Sequence, residues 1–176
     1  MPARDLLQQV SDLGSTRWSG VAYRHTSTGR DPMSGRGALL FGGRWNPPDV
    51  VSTVYLAFPE ETCVAEFLKV AETQARGASS FAPRSIHTFQ LTNIELLDLT
   101  APGSLEAVGL SLADIESSDR RACQAVGETA HYLIYQGVLA PSSTGIGNVI
   151  AVFEPRVRPG QLALVETRPL SSVFSD

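Results

Sequence analysis

The chain has 176 residues, 43% hydrophobic and 18% charged, with a net charge of −4, enough for one domain with a sizeable core. The acidic balance and the lack of any Lys/Arg run argue against direct nucleic-acid binding. No apolar run reaches the length of a membrane span, and the start Met1-Pro2-Ala3-Arg4-Asp5 lacks the apolar stretch of a secretory leader, so a cytoplasmic location is expected.

Leu6, Leu7, Val10 and Leu13 recur at helical spacing and predict a helix over residues 4–13, ended by Gly14-Ser15. Gly20 to His25 reads as a strand with Arg24 near its end. Residues 26–40 are rich in Ser, Thr, Gly and Asp and read as a loop. The segment Phe41-Gly42-Gly43-Arg44-Trp45-Asn46-Pro47-Pro48 follows. Its glycines free the backbone, and its prolines stiffen the exit and push Asn46 away from helix. It reads as an ordered loop that either presents side chains or plugs a core with Trp45.

Val50 to Ala57 is the strongest strand signal, with Tyr55 near its end. Pro59-Glu60-Glu61 opens a helix, since proline suits the first turn and acids suit the positive end of the dipole. Cys63, Phe67, Val70 and Ala71 give that helix an apolar stripe through about Ala75, and Gly77 to Ser80 end it. Ser85–Leu91 and Ile94–Leu99 predict two further strands. Residues 102–118 are irregular, with one helical turn near Leu105–Val108. A helix capped by Ser117 or Ser118 then carries Cys123, Val126, Ala130, Leu133 and Ile134, ending at Gly137. A turn-rich loop spans Pro141–Gly147, with strands at 148–154 and 161–166. Strands and helices alternate without repeating βαβ units. The expected class is therefore α+β, a single domain with a mixed, mostly antiparallel sheet flanked by helices.

Cys63 and Cys123 fall inside predicted helices and read as buried free thiols. Three His and two distant Cys make no zinc pattern, so no metal site is expected. Phosphate-loop, dinucleotide and nucleophile-elbow signatures are also missing. His25, His87 and His131 sit in no distinctive setting and read as structural. Glu66 flanks the stripe of Cys63, Phe67 and Val70, while Glu61, Lys69 and Glu72 point the other way. A carboxylate at the border of a buried face either forms a salt bridge there or lines a cleft. Arg24 either pairs with a surface acid or binds an anion. Tyr55 reads as core or as a stacking surface, and Ser142 as a turn hydroxyl.

Taken together, these pieces resemble the RES-domain toxins of bacterial toxin–antitoxin systems. The order is Tyr23-Arg24, then Gly43-Arg44-Trp45-Asn46-Pro47, then Val54-Tyr55-Leu56-Ala57. Glu66 follows, and Cys123-Gln124-Ala125-Val126-Gly127 and Gly137-Val138-Leu139-Ala140-Pro141-Ser142 close the pattern. The resemblance runs from about Val21 to Glu154. It implies a fold related to ADP-ribosyltransferases and destruction of NAD at the nicotinamide–ribose bond, by hydrolysis or phosphorolysis. It implies no cofactor: NAD is the substrate, with inorganic phosphate a possible co-substrate. It also implies a separately encoded Xre-type antitoxin, and a homodimer or a toxin–antitoxin hetero-oligomer.

Carried over residue by residue, Arg24, Glu66 and Tyr55 become catalytic, and Arg44 and Ser142 substrate-binding. Ser143, Ser117 and Ser118 remain alternatives for the family serine. Arginines suit a pyrophosphate, an aromatic ring suits nicotinamide, and a carboxylate suits a ribose that gains positive charge. The same pocket also suits ADP-ribosyl transfer to a macromolecule. The non-enzymatic alternative is a module that binds a nucleotide or a partner protein.

Overall fold

The computed structural model describes residues 2–73 and 83–174. Helix α1 (Arg4–Leu13) buries Val10 against the core and leads into β1 (Thr16–Ser27). The expected loop after β1 contains a short helix, α2 (Arg36–Phe41). The Ser- and Gly-rich composition hid it, because α2 has no buried residue and so no apolar stripe to read. Strand β2 (Thr53–Phe58) places Tyr55 in its middle rather than near its end. It leads to α3 (Glu60–Thr73), where Cys63, Phe67 and Ala71 are buried. Val70, expected in the stripe, lies exposed. The expected helix end at Ala75 to Ser80 lies outside the described residues.

The two strands expected at 85–91 and 94–99 are one strand, β3 (Arg84–Asp98). The chain passes between them through Asn93, which takes a left-handed φ of 50°. Asparagine tolerates that conformation better than most residues, and the Asn93 N–H donates to Ser19 Oγ at 2.9 Å on β1. Two short helices, α4 (Ser104–Ala107) and α5 (Leu112–Glu116), follow. Ser111 and Asp114 form a reciprocal capping box on α5. Helix α6 (Arg121–Tyr132) has neither Ser117 nor Ser118 as its cap. Instead Asp119 accepts from the Arg121 N–H at 3.0 Å, and Ser117 closes α5. The helix stops at Tyr132, because the chain turns through Ile134 at φ 66° to enter β4 (Gly137–Pro141). Ile134 is exposed and not part of the apolar face. β5 (Asn148–Phe153) and β6 (Leu162–Pro169) complete the described sheet.

The pairings are β1 with β2 and β3, β2 with β5, β5 with β4, and β4 with β3. They close five strands into a ring, and β6 adds to β3 as the sixth. Among the described residues, β3–β4 is the one parallel ladder. This is the mixed, mostly antiparallel α+β architecture expected from sequence. Strand alternation divides the core. Val54, Leu56, Leu96, Leu139, Ile150 and Val152 share one cluster. Leu97, Val138, Ala140, Ala151 and Phe153 point the other way, into a second cluster shared with α1, α5 and α6. A third, smaller cluster of Ala57, Cys63, Phe67, Ile86 and Leu170 sits under α3. Among the described residues, no helix is long and apolar enough to cross a membrane.

Candidate active site

The β1–β2 ladder is registered at a single pair, Tyr23↔Ala57. A cavity of about 340 Å³ lies on that short seam, a size within the usual range for small-molecule sites. Tyr23, Arg24 and His25 line it from β1, Tyr55, Leu56 and Ala57 from β2, and Cys63 and Glu66 from α3. The Gly43-Arg44-Trp45 turn, Arg120 and Ser143 complete much of the wall. Arg24, Arg44, Tyr55 and Glu66, separated by up to two strands in sequence, thus meet at one cavity. Ser142 does not line it.

The Gly-Arg-Trp-Asn turn is held from both sides. The Gly43 N–H donates to the Asn46 carbonyl at 2.9 Å, closing the turn. The Tyr55 hydroxyl accepts from the Trp45 N–H at 2.9 Å and donates to Asn46 Oδ1 at 2.6 Å. Burial pushes the Tyr55 phenol well above its ordinary pKa, so it stays protonated and keeps that donor. Gln124 on α6 donates to the Gly43 carbonyl at 2.9 Å. Asn46 is fully buried and donates to the Ala38 carbonyl at 2.8 Å. Trp45 is fully buried in the core. The motif therefore both plugs the core and presents a side chain. Gly43 must be glycine here: a Cβ would lie 2.4 Å from the Tyr55 hydroxyl oxygen.

Arg44 reaches across to the end of α5. Its guanidinium donates to the carbonyls of Asp114 at 3.1 Å and Ser117 at 2.8 Å. Two of its five N–H groups are thereby fixed, and its orientation with them. Arg24 donates to the Pro32 carbonyl at 2.6 Å. The loop that carries Pro32 is itself pinned, since the Gly35 N–H donates to Glu154 Oε2 at 2.8 Å. Arg120 is exposed and has no hydrogen bond or ion pair from its side chain among the described residues. Three arginines and one glutamate therefore line the same cavity, an excess of positive charge that favours an anionic ligand.

Glu66 is braced from behind. The Ser142 hydroxyl donates to Glu66 Oε1 at 2.6 Å. Ser142 is itself buried and accepts from the Thr144 N–H at 3.1 Å. Lys69, one turn along α3, donates to the Ser143 carbonyl at 2.8 Å. Gly147 lets this loop press on α3: at its φ of 66°, a Cβ would fall 1.8 Å from Thr62 Oγ1. The expectation that Ser142 touches a ligand thus meets a different geometry. It sits behind Glu66 because Oγ is committed to the carboxylate, and Ser143 is the serine on the lining. Burial, and then the Glu66 charge, push the Cys63 thiol up to about 12, so it is inert as a nucleophile. Cys63 and Cys123 are both buried and free.

Sequence reasoning missed two lining residues. Nothing separates Arg120 from its neighbour Arg121 in the sequence, yet Arg121 is spent on an ion pair with Asp119 at 2.7 Å. His25 read as structural, although its position beside Arg24 on a strand flanking the site was the available signal.

A braced carboxylate that shares a half-open cavity with arginines, on the seam of a ring-shaped sheet, defines an α+β protein with an anion-attracting site. The chain belongs to the RES-domain family, whose family model, described as RES domain, matches residues 17–173. It is 42% identical over 168 residues to proteins named NAD(+) phosphorylase MbcT from Mycobacterium bovis and Mycobacterium tuberculosis, covering 94% of this chain and 90% of each relative. Its fold is similar to a chain in the crystal structure of the M. tuberculosis MbcT–MbcA toxin–antitoxin complex. The TM-score is 0.91 at 40% identity, over 98% of this chain and 95% of that one.

Proposed function

We propose that this protein is the toxin of a toxin–antitoxin pair and cleaves NAD at the nicotinamide–ribose bond by phosphorolysis in the cytoplasm. One observation carries the reading: Glu66, braced by Ser142, lines one cavity together with Arg24, Arg44 and Arg120. The likeness to proteins named NAD(+) phosphorylase supports it, as does the likeness to a toxin bound to its antitoxin. The partner is a separately encoded Xre-type antitoxin, and the chain acts as one RES-like domain of ADP-ribosyltransferase type. NAD and inorganic phosphate are the substrates, and no further cofactor takes part.

In this reading, the arginines hold the NAD pyrophosphate and the incoming phosphate by charge-assisted hydrogen bonds. The Tyr55 ring, its hydroxyl occupied by the turn, offers a face to nicotinamide. The ribose C1–N bond breaks and its electron pair leaves with nicotinamide, whose ring becomes neutral. Positive charge builds on the ribose, and the Glu66 carboxylate stabilises it. A phosphate oxygen then bonds to C1, giving nicotinamide and ADP-ribose 1-phosphate. Ser142 is a positioning residue for Glu66.

The test is incubation of antitoxin-free protein with NAD, with and without inorganic phosphate, followed by product identification. Nicotinamide release that requires phosphate, with ADP-ribose phosphate as co-product, is expected. Free ADP-ribose would replace phosphorolysis by hydrolysis, and label left on a macromolecule would indicate ADP-ribosyl transfer. No turnover under either condition would remove the enzymatic reading.

Two variants probe the assigned roles. Ser142→Ala removes the brace and lets the carboxylate wander. A kcat loss of roughly 10- to 100-fold with little change in KM is expected from steady-state kinetics. Arg120→Ala removes an exposed charge that makes no side-chain hydrogen bond or ion pair among the described residues. A KM increase of about 5- to 20-fold for phosphate or NAD, at unchanged melting temperature, is the expected result.

A further inference from the structure

His25 lies at the Glu66 end of the cavity, and its ring is locked on one side. Arg84, from β3, donates to His25 Nδ1 through Nη2 at 2.7 Å and Nε at 3.2 Å. Arginine has no acceptor, so Nδ1 must be the acceptor and the ring proton must sit on Nε2. Phe67 backs both groups: the His25 ring meets it edge-on at 5.4 Å, and the Arg84 guanidinium stands 5.6 Å over its centre. Arg84 also reaches Ser27 Oγ at 3.3 Å. Among the described residues, Nε2 has no protein partner, and it is not among the sealed polar atoms left unpaired. It is therefore neither bonded nor sealed, and His25 is one of the residues that line the cavity.

We propose that Arg84 holds His25 as a neutral imidazole whose Nε2–H donates to an oxygen of the nicotinamide ribose, an inference that rests on the NAD reading above. Position and charge both favour it. His25 packs beside Cys63 and Phe67, the helical turn that carries Glu66, and so faces the reacting end of the dinucleotide. An imidazolium there would repel the ribose as it turns cationic, whereas a neutral N–H holds an oxygen without adding charge. The titratable and charged groups around His25 are Arg84 and His87 on β3, Arg24 on its own strand, and Cys63 with Glu66 beyond it on α3. Burial, followed by Arg84, Arg24 and His87, pushes the His25 pKa down to about 3. The folded protein thus keeps it uncharged between about pH 3 and the pH near 6.5 at which an ordinary histidine gains its proton.

The experiment combines kinetics with nitrogen NMR of the full chain. His25→Phe is expected to lower kcat/KM for NAD about 3- to 10-fold, the effect of one lost neutral hydrogen bond. His25→Gln, which can present an N–H near the Nε2 position, should recover most of that loss. Arg84→Met frees Nδ1 and removes the second of the causes that lower the His25 pKa, so His25 gains its proton at a higher pH than in the wild type, while burial still holds it below an ordinary histidine. Its kcat/KM should then begin to fall with acid at a higher pH than that of the wild type, a displaced acid limb that the Arg84→Met/His25→Gln double variant lacks. Nitrogen spectra of the wild-type chain should show the Nε2–H tautomer with no titration between pH 5.5 and 8, a readout that stands even where Arg84→Met does not fold. A wild-type Nδ1–H tautomer, a midpoint near 6.5, or full kcat/KM in His25→Phe overturns the proposal. Wild-type protein that neither binds nor cleaves NAD instead overturns the NAD reading and the ligand assigned to His25, while the spectra still decide the role of Arg84.

Discussion

Glu66→Gln is expected to reduce kcat for NAD cleavage by about 10²- to 10⁴-fold, with NAD affinity changed less than about 10-fold. The amide keeps the shape of the carboxylate and still accepts the Ser142 hydroxyl through its oxygen. Only the negative charge is lost, and that charge matters most when the ribose becomes cationic. Single-turnover nicotinamide release and calorimetric NAD binding separate the two effects. Loss of binding together with turnover would make Glu66 a ground-state contact. Retained turnover would remove the carboxylate from the chemistry.

Gly127→Ala is expected to destabilise the protein and spoil the cavity wall in one step. Alanine normally favours a helix interior by about 1 kcal/mol over glycine. At Gly127, in the body of α6, the added Cβ would lie 1.7 Å from the Trp45 carbonyl oxygen and 2.6 Å from its carbon. Neither partner is a flexible side chain, so helix or turn must move. Overpacking of this kind costs about 1–3 kcal/mol or more. A melting temperature lower by about 5 °C or more, together with a raised KM, should be seen by thermal unfolding and steady-state kinetics. Gly37→Ala provides the contrast. Gly37 also sits in a helix, α2, with nothing within 4 Å of its added Cβ. It should be neutral or slightly stabilising. Equal effects at both glycines would mean that Gly127 does not set the approach of α6 to the turn.

Several features of the site were legible in the sequence because they are local. The apolar stripe of α3 placed Glu66 at the edge of a buried face, where it lies. The Gly-Gly-Arg-Trp-Asn-Pro-Pro composition marked an ordered loop, but residue type left open whether it presents side chains or plugs the core, and the fold shows that it does both, with Trp45 buried and Arg44 on the cavity. Other features depended on register between distant segments. Ser142 and Glu66 are 76 residues apart, and only the fold shows that their side chains are bonded. The fusion of two strand signals into β3 required Asn93 to take an unusual φ, which no periodicity encodes. Arg120 and Arg121 have the same chemistry and differ only in what stands opposite each. The α2 helix has no buried face, so the pattern that reveals helices was missing there.

The single registered pair between β1 and β2 has a mechanical consequence. Each of the other joints in the five-strand ring is secured by a longer ladder, so this joint is the clasp of the ring. The cavity is lined from both sides of the clasp, so a ligand bound to both strands would fasten it. Affinity for the ligand and resistance to unfolding are then linked at this joint, since whatever binds only the closed ring stabilises the closed ring. An occupant that leaves after turnover releases the clasp again, whereas one that stays keeps the whole ring fastened.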